Sequence, residues 1–190
     1  MNTREVAQPA VMGEADKSGA VTVRRLDGPQ AAAALPALAD LLIDCVHGGA
    51  SVSFMAPLST ERAQAFWQRV ADGVMRGERA LLVAEDASGI VGTVQLILDL
   101  PENQPHRADV AKMLVLQRAR RRGVAQRLLH AVDAVARDEQ RRVLVLDTVT
   151  GSDADRLYAR HGWQRVGEVP QFALMPDGAL CPTTFFYRLL

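Results

Sequence analysis

The run Val110-Ala111-Lys112-Met113-Leu114-Val115-Leu116 and, four residues on, Arg120-Arg121-Arg122-Gly123-Val124-Ala125 decide how this chain folds. The apolar heptapeptide has the length and bulk of a buried strand. The second stretch turns at Gly123 and opens an amphipathic helix expected to reach Arg137. Val124, Ala125, Leu128, Leu129, Val132, Val135 and Ala136 form its buried stripe. A strand, a Gly-containing turn and a helix N-terminus, in that order, gather unpaired backbone N–H groups around one point, which suits a phosphate. Arg118, Arg120, Arg121 and Arg122 cluster there. The string is short, and by itself it reads equally well as a helix start with a solvated basic face.

Bulk properties narrow the alternatives. Lys plus Arg equal Asp plus Glu at 22 each, so basic character is local and an extended nucleic-acid surface is not expected. Cys45 and Cys181 form no CxxC or Cys/His cluster. Neither a disulfide scaffold nor a metal site is therefore expected. The first 19 residues lack the apolar core of a secretory leader and read as a disordered tail. No apolar run approaches the ~20 residues needed to span a bilayer. The expectation is a cytoplasmic chain with one domain over residues 20–190 and no membrane partner.

Around the deciding stretch the elements alternate. A first strand is expected over 20–25, then a helix over 29–47 with a break at Pro36. The glycine- and proline-punctuated segment from His47 to Pro57 reads as a loop. A second helix starts near Ser59 and ends near Arg76. Residues 80–85 and 91–98 read as a hairpin across Asp86-Ala87-Ser88-Gly89. Residues 143–146 are continuously apolar, the pattern of a strand covered on both faces. Strands over 163–169 and 184–189 close the chain, with a turn at Met175-Pro176-Asp177-Gly178. The reading is one mixed α/β domain.

A second pattern lies downstream. Ser152-Asp153-Ala154-Asp155 has the spacing of a capping box. In the short helix it opens, Ala154, Leu157, Tyr158 and His161 share one face, so Tyr158 points inward. Taken alone, Tyr158 reads as a core tyrosine. Gly162-Trp163 stops the helix and starts a strand.

Together these residues resemble the GNAT family of acyl-CoA-dependent N-acetyltransferases. The carriers are R-x-x-G-x-A at 120–125, the strand Leu144-Val145-Leu146-Asp147-Thr148, and A-x-x-L-Y-x-x-x-G-W at 154–163. Loop residues extend the resemblance toward toxin-resistance members of the tabtoxin type. These are His47-Gly48-Gly49-Ala50-Ser51-Val52, Phe54-Met55, Gly151-Ser152, Arg165-Val166-Gly167-Glu168 and Pro176-Asp177-Gly178.

The resemblance implies a twisted, mostly antiparallel sheet flanked by helices, with acetyl-CoA as cosubstrate. Its pyrophosphate would lie on the amides of Arg121, Arg122, Gly123, Val124 and Ala125, and its pantetheine arm along Met113, Leu114 and Val115. Arg118 or Arg120 would meet the 3′-phosphate, and Ser152 falls on the same coenzyme side. Tyr158 would act as general acid, its phenol being protonated at neutral pH. Asp147 would act as base or orient a water, unless it merely caps a turn or pairs with an arginine. The acceptor, a small-molecule amine such as a toxin or antibiotic, would meet His47, Ser51, Phe54 and Gln95. His47 reads equally well as a helix C-cap. A protein or peptide acceptor and a non-catalytic acyl-CoA-binding module are the competing readings. Family members of this size often form homodimers.

Overall fold

The computed structural model describes residues 21–190. The expected tail over 1–19, and Ala20 of the expected first strand, lie outside these residues. Among the described residues seven strands build one sheet: β1 (Thr22–Leu26), β2 (Arg79–Asp86), β3 (Gly89–Ile97), β4 (Arg107–Val115), β5 (Val143–Val149), β6 (Gln164–Leu174) and β7 (Leu180–Leu189). Their order is β1-β2-β3-β4-β5-β7-β6. All neighbours are antiparallel except β4 and β5, which run parallel. Five α-helices of the described residues flank the sheet: α1 (Gly28–Ala33), α2 (Leu35–His47), α3 (Thr60–Met75), α4 (Val124–Asp138) and α5 (Asp153–Arg160). This is the expected mixed α/β class.

The helix expected over 29–47 is two helices. Asp27 and Gln30 form a capping box that starts α1. The chain breaks at Ala34, and Pro36 stands in the first turn of α2. There its missing N–H has no helical partner to lose, so Pro36 starts a helix instead of kinking one.

Alternation along the strands gives the sheet two faces. On the front face Leu81, Val83 and Leu114 pack with Leu38, Leu42, Trp67 and Val70 from α2 and α3. On the back face Leu82, Val94, Leu96, Leu144 and Leu146 pack with Leu128 and Val132 of α4 and with Tyr158 and Phe186.

The front helices stop at β4. This corrects the expectation that β5 is covered on both faces. Leu144 and Leu146 are buried on the back, Val143 and Val145 are half-buried, and Asp147 is exposed. The closing strands also run longer than expected. A register shift between Val169 and Ala173 accommodates Pro170 and lets β6 continue to Leu174.

One irregularity opens the middle of the sheet. The pairs Thr93↔Leu114 and Gln95↔Ala111 leave one extra residue in β4. Lys112, inside that bulge, has φ 52°. A bulge of this kind sharpens the local twist and bends its strand. Pairing between β4 and β5 is confined to Arg107↔Val143, Ala108↔Leu144 and Asp109↔Val145. Past Asp109 the two parallel strands separate.

The N-terminus of α4 is pressed against β3 at Gly92. A Cβ there would meet Val124 Cγ1 at 2.9 Å and the Leu114 carbonyl oxygen at 3.1 Å. Gly92→Ala should therefore lower unfolding free energy by about 1–3 kcal/mol, the usual cost of overpacking. Urea denaturation measures this, and an unchanged midpoint would show that α4 does not need the close approach.

Candidate active site

The parting of β4 from β5 exposes backbone. Leu116 N donates to Val91 O at 2.9 Å. Antiparallel alternation then turns the backbone groups of Leu114 toward β3 and those of Met113 and Val115 toward the gap. Leu114 is 2% exposed, with its side chain in the front core. Of the three residues expected along the pantetheine arm, Met113 and Val115 have the outward geometry and Leu114 does not. The Val115 carbonyl also accepts from Arg120 Nε at 3.3 Å.

A short 3-10 turn (Gln117–Ala119) follows β4. Asp44 of α2 pins it by accepting from Gln117 N at 2.8 Å. The chain then passes through Arg121 at φ 61° and Gly123 at φ 76°. Gly123 is the N-cap of α4 and brings no side-chain cap. A Cβ at Gly123 would have nothing within 4 Å. Its glycine thus serves the left-handed backbone, not a tight contact with neighbouring protein.

Arg127 N donates to Gly123 O at 3.1 Å. Among the described residues the six amides of residues 121–126 meet no protein acceptor. A helix N-terminus with its first amides unpaired carries partial positive charge and suits a phosphate. These groups fit the pyrophosphate of acetyl-CoA.

The arginines around the turn divide by their partners. Arg122 is held by Asp86 of the β2–β3 hairpin at 3.2 Å. Arg120 is engaged with the Val115 carbonyl. Among the described residues, Arg118 and Arg121 make no side-chain bond, which leaves both guanidinium groups open to an anion. Ser152 is the N-cap of α5 and accepts from Asp155 N at 3.1 Å. The return bond of the expected capping box goes one residue earlier, from Gly151 N to Asp155 Oδ2 at 2.6 Å. The Ser152 hydroxyl thus has a local structural task.

Tyr158 is 4% exposed and packs edge-on to Trp163, with ring centroids 5.7 Å apart, and near Phe186 at 6.0 Å. Its hydroxyl has no hydrogen-bond partner among the described residues. Burial, and secondarily the charge of Asp147, push the phenol well above its ordinary value. Asp147 projects to the other face of β5 and meets solvent. The surrounding protein still desolvates its carboxyl enough to push it up, while the Lys112 ammonium pulls it back.

The loop over residues 48–58 crosses the front of this region. Ser51 Oγ donates to Leu174 O at 2.8 Å. Ala56 N donates to Pro176 O at 3.0 Å. Phe54 meets the Phe66 ring of α3 edge-on at 5.2 Å. His47 neither caps the helix carbonyls nor stands unengaged: its Nε2 accepts from Leu58 N at 3.3 Å and closes the loop. Gln95 is 1% exposed and accepts from Arg79 Nη1 at 3.1 Å. It lies beneath the cleft surface.

Lys112 belongs to this cleft, although sequence patterning does not single it out. Its Nζ stands 3.2 Å from Ser53 Oγ and 5.8 Å from the Phe66 ring centroid. Burial pushes the ammonium down, opposed by Asp147. The signal that could have found it is a lysine inside an apolar strand, in a chain where only Lys17 and Lys112 of the 22 basic residues are lysines.

Comparison with known proteins identifies the family and the fold. Residues 77–165 match the acetyltransferase (GNAT) domain. That span holds the β4–β5 gap, the arginine turn and α5, and stops short of the 48–58 loop. An uncharacterized N-acetyltransferase from the hisH-hisA intergenic region of Azospirillum brasilense is 34% identical over 129 residues, covering 67% of this chain and 74% of that protein. The ribosomal-protein-alanine N-acetyltransferase of Brucella melitensis superposes with TM-score 0.71 at 24% identity, over 89% of this chain and 99% of that one. The yncA protein of Salmonella typhimurium, solved with its cofactor acetyl-CoA, gives 0.73 at 19% identity, over 90% and 95%.

A β-branched side chain at Gly123 would strain the left-handed N-cap by about 1–2 kcal/mol. Relaxing that strain turns the amides away from their common point. Gly123→Val should therefore weaken acetyl-CoA binding by about tenfold, measured by isothermal titration calorimetry. Wild-type affinity would remove the turn from the coenzyme site.

Proposed function

The chain belongs to the GNAT family of N-acetyltransferases and uses acetyl-CoA, and from that premise we propose that it acetylates a small-molecule amine by direct transfer. The observation that carries the small-molecule reading is the 48–58 loop. Its bonds to Leu174 and Pro176 tie it to the turn between β6 and β7, and a loop fixed there suits a compact acceptor better than an extended peptide, which needs a groove open at both ends. Toxin or antibiotic acetylation is the role that best suits such an acceptor, given the loop resemblance to tabtoxin-resistance members.

Acetyl-CoA supplies the acyl group as a thioester. The amides of residues 121–126 hold its pyrophosphate, and the outward N–H and C=O of Met113 and the N–H of Val115 hold its arm, the Val115 carbonyl being taken by Arg120 and Cys45. Arg118 serves its 3′-phosphate, because Arg120 is engaged elsewhere. Asp147 takes the proton that the acceptor's ammonium must lose before nitrogen can attack. Burial raises its proton affinity, which suits a base. Tyr158 keeps a proton at its phenol oxygen for the sulfur that leaves. Burial favours that neutral form. One N–C bond forms and one C–S bond breaks; the nitrogen loses one proton to Asp147 before attack and a second as the tetrahedral intermediate collapses, and that second proton is matched, through solvent, by the one that restores the Tyr158 phenol after it protonates the sulfur.

A thiol-release assay with acetyl-CoA over amines, amino acids, β-lactam toxins and aminoglycosides tests the reading. Turnover with a small amine is expected. Turnover only with peptide N-termini would replace it with the protein-acceptor reading. Tyr158→Phe should keep acetyl-CoA affinity and lower kcat by about tenfold or more, and an unchanged kcat would free Tyr158 of the acid role. As pH falls, Asp147 takes up its proton above the ordinary carboxylate range, so kcat/KM should fall there. Asp147→Asn should lose that limb along with most of the turnover.

A further inference from the structure

Two residues without glycine's freedom hold left-handed backbone on opposite sides of the cleft, Ser53 at φ 72° and Lys112 at φ 52°. Their side chains meet, Nζ to Oγ, at 3.2 Å. Backbone held in such sparsely populated conformations on two separate elements is a feature that concentrates at ligand sites. Here its effect is to aim one ammonium group.

Lys112 stands three residues past Asp109, and Asp147 two past Val145, its pairing partner. The bulge takes up one residue of β4, so the two charges stand level on facing strands. Among the described residues Lys112 forms no ion pair. The nearest carboxylate on its own strand, Asp109, is held by Arg107. The Phe66 face lies within cation–π range, but a ring cannot satisfy three ammonium donors. A half-buried ammonium with a hydroxyl, an aromatic face and no carboxylate within ion-pair distance, Asp147 acting on it only at longer range, keeps donors free for an anion.

We propose that Lys112, with Ser53 beside it, binds a carboxylate on the acceptor, so that the acceptor is an amine of the amino-acid type. This rests on the small-amine reading and deepens it. Asp147 faces the nitrogen and Lys112 the carboxylate, a pair of opposite charges spaced across the strand gap to fit a zwitterion. A lysine suits the position better than arginine, since a compact ammonium on a flexible stem fits where a planar fork would not. Lowering of the ammonium's proton affinity by burial is the expected cost of holding it ready.

The test compares the common L-amino acids with their carboxamides and decarboxylated amines, using acetyl-CoA and thiol release. Carboxylated acceptors should be preferred by about tenfold or more in kcat/KM, the scale of a hydrogen bond to a charged group. In Lys112→Met that preference should shrink to about twofold, through KM. Titration of the preferred amino acid into enzyme with desulfo-CoA should show the same loss of affinity without any turnover. Ser53→Ala, on an exposed loop, gives a milder loss of preference and serves as the second variant. Equal acetylation of all three series would overturn this proposal alone. No thiol release from any series would overturn the small-amine reading and this proposal with it. A preference unchanged in Lys112→Met would assign anion recognition elsewhere.

Discussion

Backbone groups that the sheet leaves unpaired are the constraint on which the rest of this structure depends. A peptide N–H or C=O without a partner costs about 1–3 kcal/mol when water is excluded. Native folds therefore pair nearly all buried ones. Here β4 and β5 pair over three residues and then part, and the amides of residues 121–126 come next without acceptors. Such groups must face water or a ligand. The bulge at Lys112 causes the parting, Gly92 lets α4 press close to the sheet, and Gly123 lets the turn point its amides outward. Each lies within residues 77–165, the span that matches the GNAT domain.

The same parting lets the two faces of the sheet communicate. Tyr158 approaches from the back, packed against Trp163 and Phe186. Asp147 and Lys112 lie on the front. The charge of Asp147 nonetheless raises the Tyr158 phenol, and Lys112 and Asp147 influence each other. A continuous hydrogen-bonded sheet would put a layer of backbone between these groups. The acid and base roles proposed for Tyr158 and Asp147 depend on β4 and β5 leaving this gap open.

What the sequence revealed depends on how local each determinant is. The hairpin at 86–89, the Ser59 and Ser152 caps and the amphipathic stripe of α4 depend on neighbours in sequence, and all could be read. The two-helix start escapes such a reading because Pro36 looks the same as a helix breaker or as a first-turn residue; Asp27 and Gln30 decide it. The open front of β5 escapes it because an apolar run does not reveal where the front helices end. His47, Ser51 and Gln95, which the resemblance places at the acceptor, have hydrogen bonds to Leu58, Leu174 and Arg79, partners between 11 and 123 residues away that local sequence cannot reveal. Lys112 carries only a weak sequence signal, a lone lysine in an apolar strand, because the bulge that turns it into the cleft is created only by pairing with β3.

Amide chemical shifts of the isotopically labelled protein, followed during titration with coenzyme A, test most directly whether the unpaired amides form the coenzyme site. Residues 121–126 should show the largest shifts and lose amide exchange with solvent, with Met113 and Val115 responding and Leu114 unmoved. Saturable binding that leaves residues 121–126 unperturbed would contradict it.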